Sequence, residues 1–400
     1  MRSRREQRTV RLSLITKQCG TLRSMTNSIE RDLDQLPREL LDKLARYHFD
    51  RERLVTFAKE LESGKQRDNF VQGKLSPPRA GDLAELPAQG SAEYEALVAR
   101  GRAALEAGQV ALAVLAGGMA TRMGGVVKAL VEAVPGKTFL ELRLAEVEAD
   151  RKKYGKAPPL WLMASSATVD ALKQALGERE DGEQIAVFTQ CASLRLTPEG
   201  ELFRDSAGHP SDHASGHGDF VEALQQSGLI QKFVARGGKV VMLTNLDNLG
   251  GTLDPAIIGW HLSHGAAVTA EVVDKLESDR GGIPVYVDDR LAILEEFRIP
   301  KSFDPATVRV FATNVFHFDA QVLEKFAMPW TFFLVNKKVE GKPVIQFERL
   351  VNEVTSALPT RYLRVPRSGV QSRFLPVKDN EELAARANEN LAVARARGML

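Results

Sequence analysis

Short apolar runs alternate with helix-like stretches through the middle of the chain, and this alternation restricts the fold more than any other feature of the sequence. The runs are Leu112 to Ala116, Leu160 to Ala164, Ile185 to Thr189, Val240 to Thr244 and Val268 to Val273. Between them lie helical segments such as the one holding Phe139, Leu142 and Val147 behind Thr138 as N-cap, and Leu229 to Val234. Strands separated by helices pair in parallel, because a parallel partner is reached only by a long crossover. The expected class is therefore α/β, with a mostly parallel mixed sheet covered by helices on both faces. Ligands in such folds sit beyond the carboxyl ends of the strands. A hairpin, Ile283 to Leu294 turning at Asp288 and Asp289, interrupts the pattern, and a strand near Arg309 to Phe316 follows it.

The flanks read differently. Leu33, Leu36, Leu40, Leu41, Leu44, Phe57 and Leu61 recur among charges at helical spacing, so residues 25–90 form an N-terminal helical region and a connector. The connector runs from Gly73 to Gly90 with Pro77, Pro78 and Pro87, and leads to a helix containing Tyr94 to Leu105. Residues 91–380 form the catalytic block and 381–400 a C-terminal helix. Residues 1–24 are a basic tail, expected to be unstructured, in which Arg2, Arg4, Arg5, Arg8, Arg11, Lys17 and Arg23 face only Glu6. An extended start with Met25 as the initiator, a transit segment and a solvated tail all fit that stretch. Over the whole chain 54 basic residues balance 52 acidic ones, which removes a global electrostatic case for nucleic-acid or membrane binding. Cys19 and Cys191 are too few for a disulfide framework, and no apolar run approaches the roughly 20 residues of a spanning helix. A cytoplasmic protein is expected.

Three segments carry candidate chemistry. The first is Leu115, Ala116, Gly117, Gly118, Met119, Ala120, Thr121, Arg122, Met123, Gly124, Gly125, directly after a strand and shortly before Lys128. Glycines let backbone amides approach an anion or a flat base, and Arg122 and Lys128 can neutralise phosphate oxygens. The spacing matches neither the phosphate loop closed by Gly-Lys-Ser or Gly-Lys-Thr nor the dinucleotide pattern of three spaced glycines. A nucleotide site and a structural turn both remain open for it.

The second segment is Thr244 to Gly250, at the end of a strand. Asp247 there can hold Mg²⁺ through one or two oxygens, with phosphates and water completing the octahedron, or can cap the next helix. The third is Ser215, Gly216, His217, Gly218, Asp219, whose amides and imidazole open a helix and can meet a base or phosphate. A lone histidine in a packing role is the other reading.

Leu115 to Gly124 resembles the signature loop of the sugar nucleotidyltransferases, and the Asn245 to Gly250 and Gly216 to Asp219 segments resemble those of UTP–glucose-1-phosphate uridylyltransferases. Further matches follow in the family's order: Phe188, Thr189, Gln190; Gly281, Gly282; Ala312, Thr313, Asn314; Asn336, Lys337, Lys338; and Val365 through Lys378. The resemblance implies a Rossmann-like nucleotidyltransferase fold and the synthesis of a UDP-sugar and pyrophosphate from UTP and a sugar 1-phosphate with Mg²⁺. It assigns Leu115, Ala116, Gly117, Gly118, Gln190 and Gly216 to the nucleotide, with Gln190 reading uracil. His217, Asn245, Gly282 and Asn314 are assigned to the sugar phosphate, Asp247 to the metal, and Arg122, Lys128 and Lys338 to the phosphates.

In the implied reaction a sugar phosphate oxygen attacks the α-phosphorus of UTP. The nucleophile is already an anion, so positioning and charge neutralisation are expected to supply the rate, with no general base. The chain departs from the family at Ala120, where glycine is usual, and in lacking a C-terminal β-helix after Lys378, so an assembly built through that domain is not implied. Arg122 and the Gln190 to Asp205 stretch look more like UDP-N-acetylhexosamine pyrophosphorylases. Glucose 1-phosphate is the expected sugar, with N-acetylglucosamine 1-phosphate or another hexose 1-phosphate as the alternative. An idle nucleotide-binding module is a distant second class, and the charged positions it could have lost are all present.

Overall fold

The computed structural model describes residues 29–64, 68–120, 123–328 and 331–400. The basic start, Met25 and Arg122 lie outside the described residues. The chain divides into two compact units.

The larger unit, residues 69–190, 216–331 and 349–400, is built on an eight-stranded sheet. In chain order its strands are β1 (Leu83–Glu85), β2 (Val110–Leu115), β3 (Leu160–Ala164), β4 (Ile185–Thr189), β5 (Val240–Asn245), β6 (Val268–Asp274), β7 (Val310–Asp319) and β8 (Thr360–Arg364). They lie in the order β1-β8-β6-β7-β5-β2-β3-β4. Every neighbouring pair is parallel except those of β7, which runs antiparallel to both β5 and β6. The link from β6 to β7 passes through the expected hairpin, Ile283–Val287 with Arg290–Leu294, and contains no crossover helix, so the chain returns in the opposite sense.

The strand sequences fit these places. Val240 to Thr244 of the central β5 is buried at every position, whereas the edge strand β4 alternates buried and half-buried residues. The stretch read as a connector contributes more than a link: Leu75 and Ser76 pair with Val287 and Tyr286, and Leu83–Glu85 is an edge of the main sheet. Three-residue strands lack a periodicity that sequence reading can detect.

Local chemistry starts the helices. Thr138 caps Phe139–Tyr154 in a capping box with Glu141, and Asp254 caps Pro255–His264 with proline at the first position. Ala92–Glu106 crosses Pro255–His264 through two glycines. A Cβ on Gly101 would lie 1.9 Å from the Pro255 carbonyl oxygen, and one on Gly259 would lie 1.9 Å from that of Leu97. The C-terminal stretch forms two helices, Asn380–Ala385 and Ala387–Ala396, broken at Arg386.

The smaller unit gathers the N-terminal helices with residues 191–215 and 332–348. Two stretches expected inside the catalytic block thus cluster with the N-terminal region instead. Its helices are 29–34, Arg38–Arg46 and Arg51–Glu62. Leu33, Leu36, Leu44 and Phe57 are buried as the pattern predicts, but Leu41 is 37% exposed, because Pro37 restarts the helix in a different phase. Phe57 stacks on Phe347 of the hairpin Phe333–Val339 with Lys342–Glu348. Among the described residues no helix is long and apolar enough to cross a membrane.

Candidate active site

The order β5-β2-β3-β4 contains a reversal: the chain steps outward from β2 to β3 to β4, then returns to place β5 on the other side of β2. The switch point between β2 and β5 is where α/β sheets bind ligands, beyond the carboxyl ends of the strands. The glycine loop leaves β2 and the Asn245 to Gly251 segment leaves β5. Leu115 and Asn245 are register partners, and Leu246 N–H donates to the Leu115 carbonyl at 3.3 Å.

The glycine loop is anchored from behind by β3. Ser165 Oγ donates to the Gly117 carbonyl at 2.9 Å and Thr168 Oγ1 to that of Ala116 at 3.3 Å. Gly117 is held against Gln190, whose Nε2 would lie 2.1 Å from a Cβ there. Gln190 is itself buried and bonded through its N–H to the Ala164 carbonyl at 2.9 Å. Ala120 sits in the short strand Met119–Ala120, paired with Val126–Val127, in an extended conformation open to any L residue. The loop path thus tolerates alanine there. Gly124 and Gly125, just before the second of these strands, are both at positive φ.

Lys128 and Asp247 meet. Lys128 Nζ donates to Asp247 Oδ2 at 2.7 Å, with the two side chains 20% and 13% exposed. Val377 N–H adds a longer bond of 3.3 Å to the same oxygen. Lys128 N–H donates to the Gly118 carbonyl, which ties the lysine to the glycine loop. The capping alternative for Asp247 is set aside, since Asp254 caps the following helix. The Asp247 loop is held by Arg143, fully buried on Phe139–Tyr154, which donates to the carbonyls of Asn245, Asn248 and Gly251 and pairs with Glu146. Asn248 extends the anchorage: its Nδ2 donates to the Arg373 carbonyl and its Oδ1 accepts from Leu375 N–H.

Asn245 and Asn314 also come together, with Asn314 Nδ2 donating to Asn245 Oδ1 at 2.8 Å. Asn314 lies at φ 59°, a left-handed conformation that asparagine tolerates better than most residues, and its Oδ1 is buried without a hydrogen-bond partner. Gly282 accepts from Ala312 N–H and closes against Ile293, Asn352 and Glu295. Glu295, which no motif singled out, accepts from Asn352 Nδ2, and burial pushes its carboxyl up to about 7.

Gly216 and Gly218 pack against the backbone of Arg349, where a Cβ would stand 2.4 Å and 2.6 Å from its atoms. Buried Asp219 pairs with Arg349, which also reaches Glu222 at 2.7 Å. His217 between them is half-buried and accepts the Val351 N–H on Nδ1 at 3.1 Å. Burial pushes its pKa down to about 4, so the ring is neutral and carries its proton on Nε2 as a donor. On β6, Glu271 holds Arg373 and His317 in a buried cluster. Burial alone would raise this carboxyl, but the charge of Arg373 and hydrogen bonds from His317 and Arg373 hold it at about 2.

The larger unit thus links Leu115, Ala116, Gly117, Gly118, Lys128, Gln190, Asn245, Asp247 and Asn314 through direct contacts, with Leu115, Asn245 and Asn314 on strands, while Gly216 and His217 pack on residues 349–351 and Gly282 on Asn352. Lys338 belongs to the smaller unit, exposed on Phe333–Val339 opposite Pro343. Arg122 lies outside the described residues. Sequence reading missed Arg143, Ser165, Thr168, Glu271, Glu295 and Asn352. Of these Arg143, a charge among the apolar positions of its helix, and Glu271, a charge inside the apolar run Val268 to Val273, left a signal.

The chain is 29% identical to a UTP–glucose-1-phosphate uridylyltransferase of Musa acuminata over 69% of its own length and 62% of that relative's, so it spans less than two thirds of the relative. Its fold is similar to that of a UDP-glucose phosphorylase from Trypanosoma brucei (TM-score 0.70, 21% identity, 91% of this chain and 78% of that one). It is also similar to the uridine diphosphate N-acetylglucosamine pyrophosphorylase of the same organism (TM-score 0.69, 19% identity, 87% and 78%). The family model described as UTP–glucose-1-phosphate uridylyltransferase matches residues 61–396, and the chain belongs to that family.

Proposed function

We propose that the protein transfers a uridylyl group from UTP to glucose 1-phosphate, giving UDP-glucose and pyrophosphate with Mg²⁺. The observation that carries this reading is the meeting of Lys128, tied to a glycine loop, with Asp247 at the switch point of the sheet. Glucose is preferred over N-acetylglucosamine on the name of the Musa relative, since solved folds of both kinds are equally similar.

The residues suit the cofactor. Among the described residues no cluster of three or more His, Cys, Asp or Glu side chains could cage a metal, and Asp247 offers one carboxylate. A single carboxylate completed by substrate phosphates and water is the usual setting for Mg²⁺. When bound, the ion would neutralise phosphate charge. The glycine loop would bind the nucleotide, with Gln190 reading the base, while Lys128 would draw on the departing pyrophosphate. His217 would donate from Nε2 to a phosphate or hydroxyl, and Asn245, Asn314 and Gly282 would orient the sugar phosphate. A sugar phosphate is already anionic at neutral pH, so the reading requires no proton abstraction.

The test is to incubate the protein with UTP, Mg²⁺ and a panel of sugar 1-phosphates and to follow pyrophosphate. Release with glucose 1-phosphate and its loss by about 10²-fold or more in Asp247→Ala are expected. Tight UTP binding with no pyrophosphate from any sugar would replace this reading with that of an idle nucleotide-binding module.

A further inference from the structure

The pairing of Lys128 with Asp247 has a consequence for the order of binding. The carboxylate that suits a divalent cation already holds a cation, and Oδ2 accepts from both Lys128 Nζ and Val377 N–H. The pair is largely shielded, with side chains 20% and 13% exposed, so the attraction is screened less than on an open surface. A divalent ion approaching Asp247 meets the ammonium charge at contact range, and among the described residues no group of three or more His, Cys, Asp or Glu side chains is placed to hold the ion against that repulsion.

We infer that Lys128 acts as an internal counter-cation that keeps Asp247 closed to free divalent metal until nucleotide phosphates draw the ammonium away. This inference rests on the metal role of Asp247 proposed above. The backbone of Lys128 is fixed by its N–H bond to the Gly118 carbonyl, while the ammonium rides on a flexible four-carbon stem. The side chain can therefore swing without moving the loop. A triphosphate on the glycine loop brings several negative charges to the base of that stem, enough to compete with one carboxylate. As Lys128 turns to the phosphates, the carboxylate of Asp247 is left without its counter-cation beside them, and metal is held only where phosphate oxygens complete its coordination. The device makes metal binding depend on nucleotide.

Binding of Mn²⁺ alone, followed by the loss of its free electron paramagnetic resonance signal, tests this without turnover. Wild-type protein should bind Mn²⁺ weakly, whereas Lys128→Met and Lys128→Gln should each bind one ion about tenfold or more tightly than wild type. The gain should vanish in Lys128→Met/Asp247→Asn. Wild-type affinity in both single variants, with native circular dichroism, overturns the inference, as does a gain that survives in the double variant. Asp247→Asn assayed for Mg²⁺-dependent pyrophosphate release separates the two levels. Normal turnover there discards the metal role and the counter-cation with it, while lost turnover without a Mn²⁺ gain in the Lys128 variants discards the counter-cation alone.

Discussion

Replacing Gly218 by alanine puts a methyl group where the backbone of Arg349 and Leu350 already stands. The new Cβ would lie 2.6 Å from the Arg349 carbonyl carbon and the Leu350 nitrogen, and 2.9 Å from the Arg349 oxygen. Gly218 is not in the left-handed region, so the cost is steric and not conformational. Ordinary contact begins at 3.4 Å, and the two backbones must separate by about 0.8 Å to reach it. No flexible side chain can absorb that shift. The Gly218 N–H bond to the Arg349 carbonyl, now 3.0 Å, is then stretched beyond hydrogen-bonding range. Overpacking and a lost buried hydrogen bond together cost about 2–4 kcal/mol. The neighbouring bond between His217 Nδ1 and Val351 N–H is carried along, and a displacement approaching 1 Å there is expected to lower kcat/KM by about 10²-fold. Urea unfolding at constant m-value and pyrophosphate release measure the two effects. Gly81→Ala serves as the comparison, because Gly81 has φ 90° and faces open space. It should lose about 1 kcal/mol of stability and keep its activity. A Gly218→Ala protein within about 0.5 kcal/mol and twofold of wild type would refute the steric reasoning.

Gly259→Ala opposes two effects. Helix propensity favours alanine by about 1 kcal/mol, but a Cβ 1.9 Å from the Leu97 carbonyl oxygen forces the crossing helices apart, so a lower urea midpoint is expected, and a higher one would show that the crossing yields. The Glu271 carboxyl, held at about 2 against an ordinary 4.5, contributes stability present in full above about pH 4.5 and lost as pH falls toward 2. Glu271→Gln should lose about 3–5 kcal/mol at neutral pH and flatten the acid limb of the stability profile, and an unchanged acid limb would contradict the assignment. His217, pushed down to about 4, stays neutral across the range where free histidine titrates, so kcat/KM should show no step between about pH 5 and 8 that His217→Asn removes. Such a step would mean that the ring titrates near its ordinary value.

Local pattern carried much of this protein. Runs such as Val240 to Thr244 announce buried strands because apolar continuity is written in consecutive residues, and the Thr138 cap and the Asp288 turn are equally short-range signals. The glycine loop and Asp247 were legible as candidates because each follows a strand at the edge where α/β folds bind ligands, although a turn and a helix cap use the same residue types. Tertiary structure decided the rest. It alone set Lys128 against Asp247, brought Arg143 under the loop it holds, and closed Glu295 and Asn352 on Gly282. It also chose the tautomer of His217 through a backbone N–H supplied by Val351. Periodicity is a property of neighbours along the chain, whereas an ion pair between residues 119 positions apart depends on strand order and register. The sequence by itself determined which side chains could do the chemistry, and the order of the sheet determined which of them meet.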